Sequence, residues 1–317
     1  MSREALLRSH LDRTLSGLEG TLSPTHRGKV RDVFDKGAEL LLVASDRISA
    51  FDVVLSTIPF KGQLLTEQSA FWLHKAASVV PTHLVERVDP QVLRCKKAAA
   101  FPVEFVVRGY LAGSLMRAPP TTRGARYGLH IDPAIQAYQA FPDPVLTPTT
   151  KEAVGLHDEP CSPAELVSSG RIAQGHLDRC VEVAMSLFRM GQEHARRQGL
   201  ILVDTKYEMG LVDGAVTLID EIHTADSSRF WVAGSYAERI ARGEAPEMLD
   251  KERLRLWLLS QGYTGYGTPP TLTDDVRVDL ADHYWTLTER VMGLPFLPVE
   301  GDAAQRVGGV VRSYLQA

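Results

Sequence analysis

Apolar positions recur along this chain with two periods, one near 3.6 and one of 2, and they divide it into helices and strands. Leu7, Leu11, Leu15 and Leu18 fall at helical spacing and predict an amphipathic helix over 3–19. Lys29–Phe34 and Glu39–Ala44 flank Asp35-Lys36-Gly37 and read as a hairpin. Its return strand is apolar until it breaks into a polar burst, Ser45-Asp46-Arg47-Ile48-Ser49-Ala50-Phe51-Asp52. Leu65, Trp72, Ala76 and Val79 form the stripe of a helix from about 64 to 80, stopped by Pro81. Short strands near 84–88 and 92–97 precede a stronger one over Val103–Arg108. Six prolines between 118 and 150 predict an ordered loop or boundary. Ser162-Pro163-Ala164-Glu165 is a capping box with proline in the first turn, and a long helix over 172–198 ends at Gly199. Helices near 250–260 and 274–292 close the chain, the latter on Val276, Leu280, Tyr284, Leu287 and Val291. The order lacks a steady β-α-β alternation, which favours an α+β fold.

One stretch breaks the apolar pattern. From Leu200 to Trp231 a hairpin turns at Asp213-Gly214, with Asp204, Lys206 and Glu208 alternating along its first strand. Side chains two apart on a strand share a face, so these three charges lie together. Asp220 and Glu221 stand near the end of the return strand, then Asp226 and Arg229. Charges in strands this apolar are costly unless paired or bound to an ion. Glu208 and Asp220 fall within one residue of register, and a bulge or longer loop would bring both to one face. Two such carboxylates suit Mg²⁺, which takes one or two carboxylates with phosphate oxygens and water. The alternative is a cross-strand salt-bridge ladder.

Composition narrows the class. The 317 residues are 44% hydrophobic and 23% charged with net charge −4, which gives no bulk electrostatic footprint for nucleic acid. The charged N-terminus is no signal peptide, and no apolar run reaches membrane-spanning length. Cys95, Cys161 and Cys180 are widely spaced and fit a reduced, cytoplasmic setting rather than a zinc framework.

Four further motifs carry candidate chemistry. In Gly28-Lys29-Val30-Arg31-Asp32 a glycine enters a hairpin between basic residues, which suits either phosphate contact or a solvated strand start. Ser45-Asp46-Arg47 ends a buried strand, and reads as ligand contact or as a turn with a local ion pair. Arg108 leaves a strand just before Gly113-Ser114, which is either a phosphate cradle or an ordinary helix start. Thr147-Pro148-Thr149-Thr150-Lys151, followed by His157-Asp158-Glu159, is a substrate loop or a surface loop.

Together, and in this order, these motifs resemble those of the phosphoribosylaminoimidazole-succinocarboxamide synthase (SAICAR synthetase) family, with Lys61-Gly62 and Asp220-Glu221-Ile222-His223-Thr224 through Trp231 added. The likeness spans about 25–290 and is greatest to the longer, yeast-like form. Met209 stands where phenylalanine is more usual and Ala225 where proline is; 116–141 matches poorly. The resemblance implies a small antiparallel β-rich lobe (1–110), a larger α/β ATP-binding lobe (111–270) and a C-terminal helical segment (271–317) packing on both. It implies ligation of L-aspartate to carboxyaminoimidazole ribonucleotide with ATP and Mg²⁺. The partners expected are these small molecules, with neither nucleic acid nor membrane, in a monomer or small homo-oligomer. By motif, Gly28, Lys29, Val30 and Arg31 lie over the ATP phosphates and the strand containing Glu104 borders the adenine. Ser45, Asp46, Arg47, Arg108, Ser114, Ser228 and Arg229 contact substrate. Glu208 and Asp220 hold magnesium, and Lys206 and Asp226 are catalytic. Either Asp226 or the substrate's own carboxylate takes the amine proton. A small-molecule kinase of the same broad fold is the alternative enzyme, and a non-catalytic nucleotide sensor the alternative of another class.

Overall fold

The structure, a computed structural model, describes residues 1–18, 22–51, 53–152, 158–249 and 252–316. Asp52, His157 and the first two residues of the helix expected at 250–260 lie outside them. Helix α1 (Arg3–Ser9) opens the chain. Strands β1 (His26–Arg27), β2 (Arg31–Lys36) and β3 (Glu39–Ala44) follow, then a separate ribbon of β4 (Arg47–Ala50) and β5 (Val53–Thr57). Helix α2 (Lys61–Ala76) leads to β6 (Leu84–Asp89) and β7 (Val92–Lys96), which complete an antiparallel sheet in the order β1-β2-β3-β7-β6.

Strands β8 (Ala99–Ala100) and β9 (Val103–Tyr110) begin a second sheet. After α3 (Gly113–Arg117) come β10 (Ala140–Leu146), β11 (Thr149–Thr150), α4 (Pro163–Ser168) and α5 (Gln174–Arg197). The hairpin β12 (Leu200–Val212) and β13 (Ala215–Ile219), then β14 (Ser228–Val232), complete this sheet around β10-β9-β12-β13. Helices α6 (Ala233–Ala241), α7 (Glu252–Ser260), α8 (Asp274–Met292) and α9 (Ala303–Gln316) end the chain. The strand pairings within both sheets are antiparallel, as an α+β reading requires. The sheets meet where Thr82 bridges Leu218 and the His83 N–H donates to the Leu218 carbonyl at 2.9 Å. Strands β8 and β9 pair into the second sheet, although residues 1–110 were expected to form the first lobe; the first sheet ends at Lys96.

Burial explains the layering. The main core packs α5 (Val183, Leu187, Phe188) against β9 and β12 through Phe105, Val107 and Tyr207. Helix α8 packs on α1 and α2. On the first sheet Phe34, Leu41, Val43 and Val92 meet Val307 and Val311 of α9, with Leu15, Leu18 and Leu22 completing that cluster.

This last contact corrects the helix expected over 3–19. Among the described residues of that span Arg3–Ser9 alone is helical, and Leu15 runs beside Asp46, exchanging backbone and carboxylate hydrogen bonds with it. Helix α9 escaped the periodicity because Gly308 and Gly309 interrupt it. Strand β10 holds Pro142 and Pro144 at the sheet edge, where a missing N–H is tolerated. The capping box is present, Ser162 Oγ accepting from the Glu165 N–H at 3.2 Å and Glu165 from the Ser162 N–H at 2.7 Å. Among the described residues no helix is long and apolar enough to cross a membrane.

Candidate active site

Strand β12 is paired on both sides, with Asp204 opposite both Arg108 of β9 and Arg229 of β14. A register shift between Leu202 and Asp204 marks a bulge. It re-phases the strand, so that Leu202 packs by Gly191 of α5 while Asp204, two residues on, joins the face of Lys206 and Glu208. The opposite face buries Tyr207 and Met209. The result is one polar sheet face with a cluster at each end.

At the first end, Asp204 Oδ2 accepts from Arg108 at 3.0 Å and from Arg229 at 2.7 Å. Arg108 also donates to Thr147 Oγ1 at 2.8 Å and to Ser114 Oγ at 3.2 Å. Gly113 has φ +59, and a Cβ there would lie 2.7 Å from the Arg229 guanidinium, so glycine makes room for that arginine. Burial pulls the Arg108 guanidinium below its ordinary value while Asp204 opposes it. Arg108, Ser114 and Arg229 are thus brought together as expected. Asp204, which joins them, was visible only as one of three alternating charges. Ser228 is buried, its hydroxyl donating to Thr205 at 2.7 Å.

At the other end, Lys206 Nζ lies 2.6 Å from Glu208, 3.2 Å from Glu104 and 3.4 Å from Asp220. Arg31 pairs with Asp220 and, at 2.9 Å, with Glu221; Lys151 pairs with Glu208. Glu208 is in register with Ile219, so Asp220 is out of phase by one residue and lies just past β13. Its φ of +61 turns the side chain back onto the Glu208 face, a left-handed conformation uncommon for a residue with a Cβ. Burial alone would lower the Lys206 ammonium, but Glu208, Asp220 and Glu104 outweigh it and hold it well above the usual lysine value. Burial also acts against the charged Asp220 carboxyl, yet Arg31, Lys206 and Lys151 hold it below its ordinary range. Glu104, on the strand expected to border the adenine, shares this charge cluster.

Between the two sheets a cavity of about 330 Å³ joins this cluster to apolar surface from Val33, Leu40, Leu42 and Ala100. Gly28, Arg31, Lys151, Glu208 and Asp220 also line it. The 28–30 loop is held from beneath. Ser45 Oγ donates to the Val30 carbonyl at 2.7 Å, and Arg47 to the carbonyls of Lys29 at 2.9 Å and Gly28 at 3.0 Å. Asp46 accepts from the N–H groups of Leu15 at 2.6 Å and Gly62 at 2.8 Å. Ser45, Asp46 and Arg47, expected against the substrate, are buried and hydrogen-bonded to neighbouring backbone. Ser45 and Arg47 thus support the loop. Lys29 itself is exposed.

Asp226 is placed between two helices. Lys61 of α2 and Tyr284 of α8 each donate to its carboxylate, at 2.8 and 2.7 Å. Sequence reading missed Tyr284 as anything but core, because its partner lies 58 residues away.

The sequence profile of the SAICAR synthetase family matches residues 24–269. A phosphoribosylaminoimidazole-succinocarboxamide synthase of Legionella pneumophila is 43% identical over 279 residues, covering 86% of this chain and 88% of its own. The chloroplastic enzyme of Vigna aconitifolia is 46% identical over 260 residues, covering 80% and 74%. The solved SAICAR synthase of Saccharomyces cerevisiae, complexed with SAICAR, superposes with a TM-score of 0.78 at 31% identity, covering 90% of this chain and all of that one. Fold and relatives define an ATP-dependent carbon–nitrogen ligase. The chain belongs to the SAICAR synthetase family.

Proposed function

We propose that the two clusters divide one ligation between them. As a member of its family the chain joins L-aspartate to carboxyaminoimidazole ribonucleotide, giving the succinocarboxamide, ADP and phosphate in purine biosynthesis. The observation that carries the division of labour is the single polar face of β12, with Asp204, Lys206 and Glu208 spaced over about 13 Å. Arg108, Ser114 and Arg229 receive the ribonucleotide phosphate, a dianion matched to two guanidinium groups. The apolar end of the cavity receives the adenine, which leaves the ATP phosphates beside Gly28, Arg31 and Lys151.

A carboxylate does not accept an amine directly, because its oxygen is a poor leaving group. A carboxylate oxygen of the ribonucleotide therefore attacks the γ-phosphorus and ADP leaves. The aspartate nitrogen then attacks the acyl carbon, and the acyl C–O bond breaks to release phosphate. Lys206 and Arg31 lie where negative charge gathers in both steps, the arrangement that stabilises a charged transition state. Holding amine and acyl carbon together supplies the proximity term.

Glu208 and Asp220 would hold magnesium. Both are hard oxygen donors and both face one point, now the Lys206 ammonium. Among the described residues no three His, Cys, Asp or Glu side chains make a ready metal cage, which agrees with an ion that keeps phosphate oxygens and water. When bound, the ion would neutralise phosphate charge.

The reaction is tested by ADP release from magnesium, ATP and the ribonucleotide, with and without L-aspartate. Release that requires aspartate is expected. Release at the same rate without it would make the chain a kinase, and none in the full mixture would make it a sensor.

A further inference from the structure

The segment 220–229 carries Asp220 to the acidic cluster at one end and Arg229 to the arginine pair at the other. Asp226 lies between them, its side chain 2% exposed. Each carboxylate oxygen is met from a different helix. Lys61 Nζ donates to Oδ2 at 2.8 Å, from a fully buried position in the first turn of α2. The Tyr284 hydroxyl donates to Oδ1 at 2.7 Å from α8, and the Lys61 ammonium stands 5.4 Å from the Tyr284 ring centre.

The same two helices pin the adjoining backbone. The Ala225 N–H donates to Gln68 Oε1 at 3.0 Å, Gln68 Nε2 to Thr288 Oγ1 at 2.5 Å, and Thr288 Oγ1 to the Tyr284 carbonyl at 2.7 Å. Helix α8 lies beyond the residues that the family profile matches.

A general base must present a lone pair to the proton it removes. Asp226 is 2% exposed and each of its oxygens already accepts from an ammonium or a phenol, so it offers no open approach to an incoming amine, and protonating it would weaken a buried ion pair. We infer that Asp226 is a positioning residue, clamped by Lys61 and Tyr284, and that Tyr284 brings α8 into the reaction machinery. The clamp fixes the middle of the 220–229 segment so that Asp220 and Arg229 hold the two phosphate-bearing substrates in register. The amine proton leaves by another route. As the nitrogen bonds to the acyl carbon and phosphate departs with the C–O electron pair, the proton passes to that phosphate or to a substrate carboxylate. This inference rests on the ligation reading.

The test compares Asp226→Asn, Tyr284→Phe and the double variant by kcat, by the KM for each substrate, and by the pH profile of kcat, with melting curves alongside. Each single variant should lower kcat about tenfold, as for loss of one hydrogen bond to a charged group. The KM for ATP should stay within about twofold. Asp226→Asn should keep the acidic limb of the profile at its wild-type position. The double variant should be no worse than Asp226→Asn alone, because Tyr284 acts through Asp226. If Asp226→Asn does not fold, Lys61→Met with Asp226→Asn removes the charge pair together and takes its place, with the same fall in kcat expected. Loss of the acidic limb in the Asp226 variant, additive losses in the double variant, or a wild-type Tyr284→Phe enzyme would each overturn the inference. Failure of the ligation reading shows separately, as aspartate-independent ADP release by the wild type.

Discussion

The two ends of the polar face on β12 are built from the same residue types and carry opposite charge. At the Asp204 end two arginines share one carboxylate, +2 − 1, leaving +1. At the Glu208 end Arg31, Lys151 and Lys206 face Glu104, Glu208, Asp220 and Glu221, +3 − 4, leaving −1. One strand with three alternating charges therefore separates a site that wants an anion from one that wants a cation. About 13 Å of strand keeps them apart. On the proposed reading, that spacing lets a single substrate rest its phosphate on the positive end while its reacting carboxylate approaches the acidic end.

The comparison breaks most visibly at the acidic end. Asp220→Asn should lower kcat about a thousandfold, the scale on which a preorganised charge acts on a developing one. The KM for the ribonucleotide should move less than about threefold, since its phosphate is held elsewhere. Steady-state kinetics at varied magnesium would show both. A large rise in that KM would mean that the two ends are not separate sites.

At the positive end the expected loss is smaller and falls on binding. Arg229→Met removes one charged hydrogen-bond donor, worth about 2 kcal/mol, so the KM for the ribonucleotide should rise about thirtyfold. The KM for ATP should not follow. If it does, Arg229 serves the nucleotide and the charge comparison has been misassigned.

Much of this face was legible because it obeys local rules. The period of a strand puts Asp204, Lys206 and Glu208 together, and Asp213-Gly214 fixes the turn, both residues adopting positive φ. Helix α8 spans 274–292 as its apolar stripe predicts. What was illegible depends on partners far along the chain or on backbone conformation. Asp220 reaches the Glu208 face only through its left-handed φ, where the period of a strand would point it away. Ser45, Asp46 and Arg47 look like ligand contacts because they are polar, but they also bond carbonyls and N–H groups of loops folded over them, and Arg47 pairs with the buried Asp32 carboxylate at 2.7 Å. Lys61 meets Asp226 across 165 residues, a distance no local pattern spans.

The smallest expected effect concerns what lies behind the acidic end. Burial lowers His83, which lines the cavity beside Asp220, to about 4. Burial, then the nearby His194, lowers His223 to about 3; it is hydrogen-bonded to Tyr207 of β12 at 2.7 Å. Both histidines are unprotonated in the fold and take up protons near their ordinary value only on unfolding, so they reduce stability as pH falls below about 6.5. Asp46 has the opposite sign. Burial raises it to about 6, so the folded state binds a proton that the unfolded chain releases, and this group adds stability as pH falls through 6. Over about pH 4 to pH 6 stability should fall with falling pH, since burial also lowers His194 and His283, which act in the same direction as His83 and His223 and together outweigh Asp46. His223→Gln keeps an acceptor for the Tyr207 hydroxyl but cannot titrate. It should remove one proton from the balance, so denaturant unfolding would give a slope shallower by up to about 1.4 kcal/mol per pH unit over that window. A variant that keeps the wild-type slope would show that His223 is not the proton acceptor.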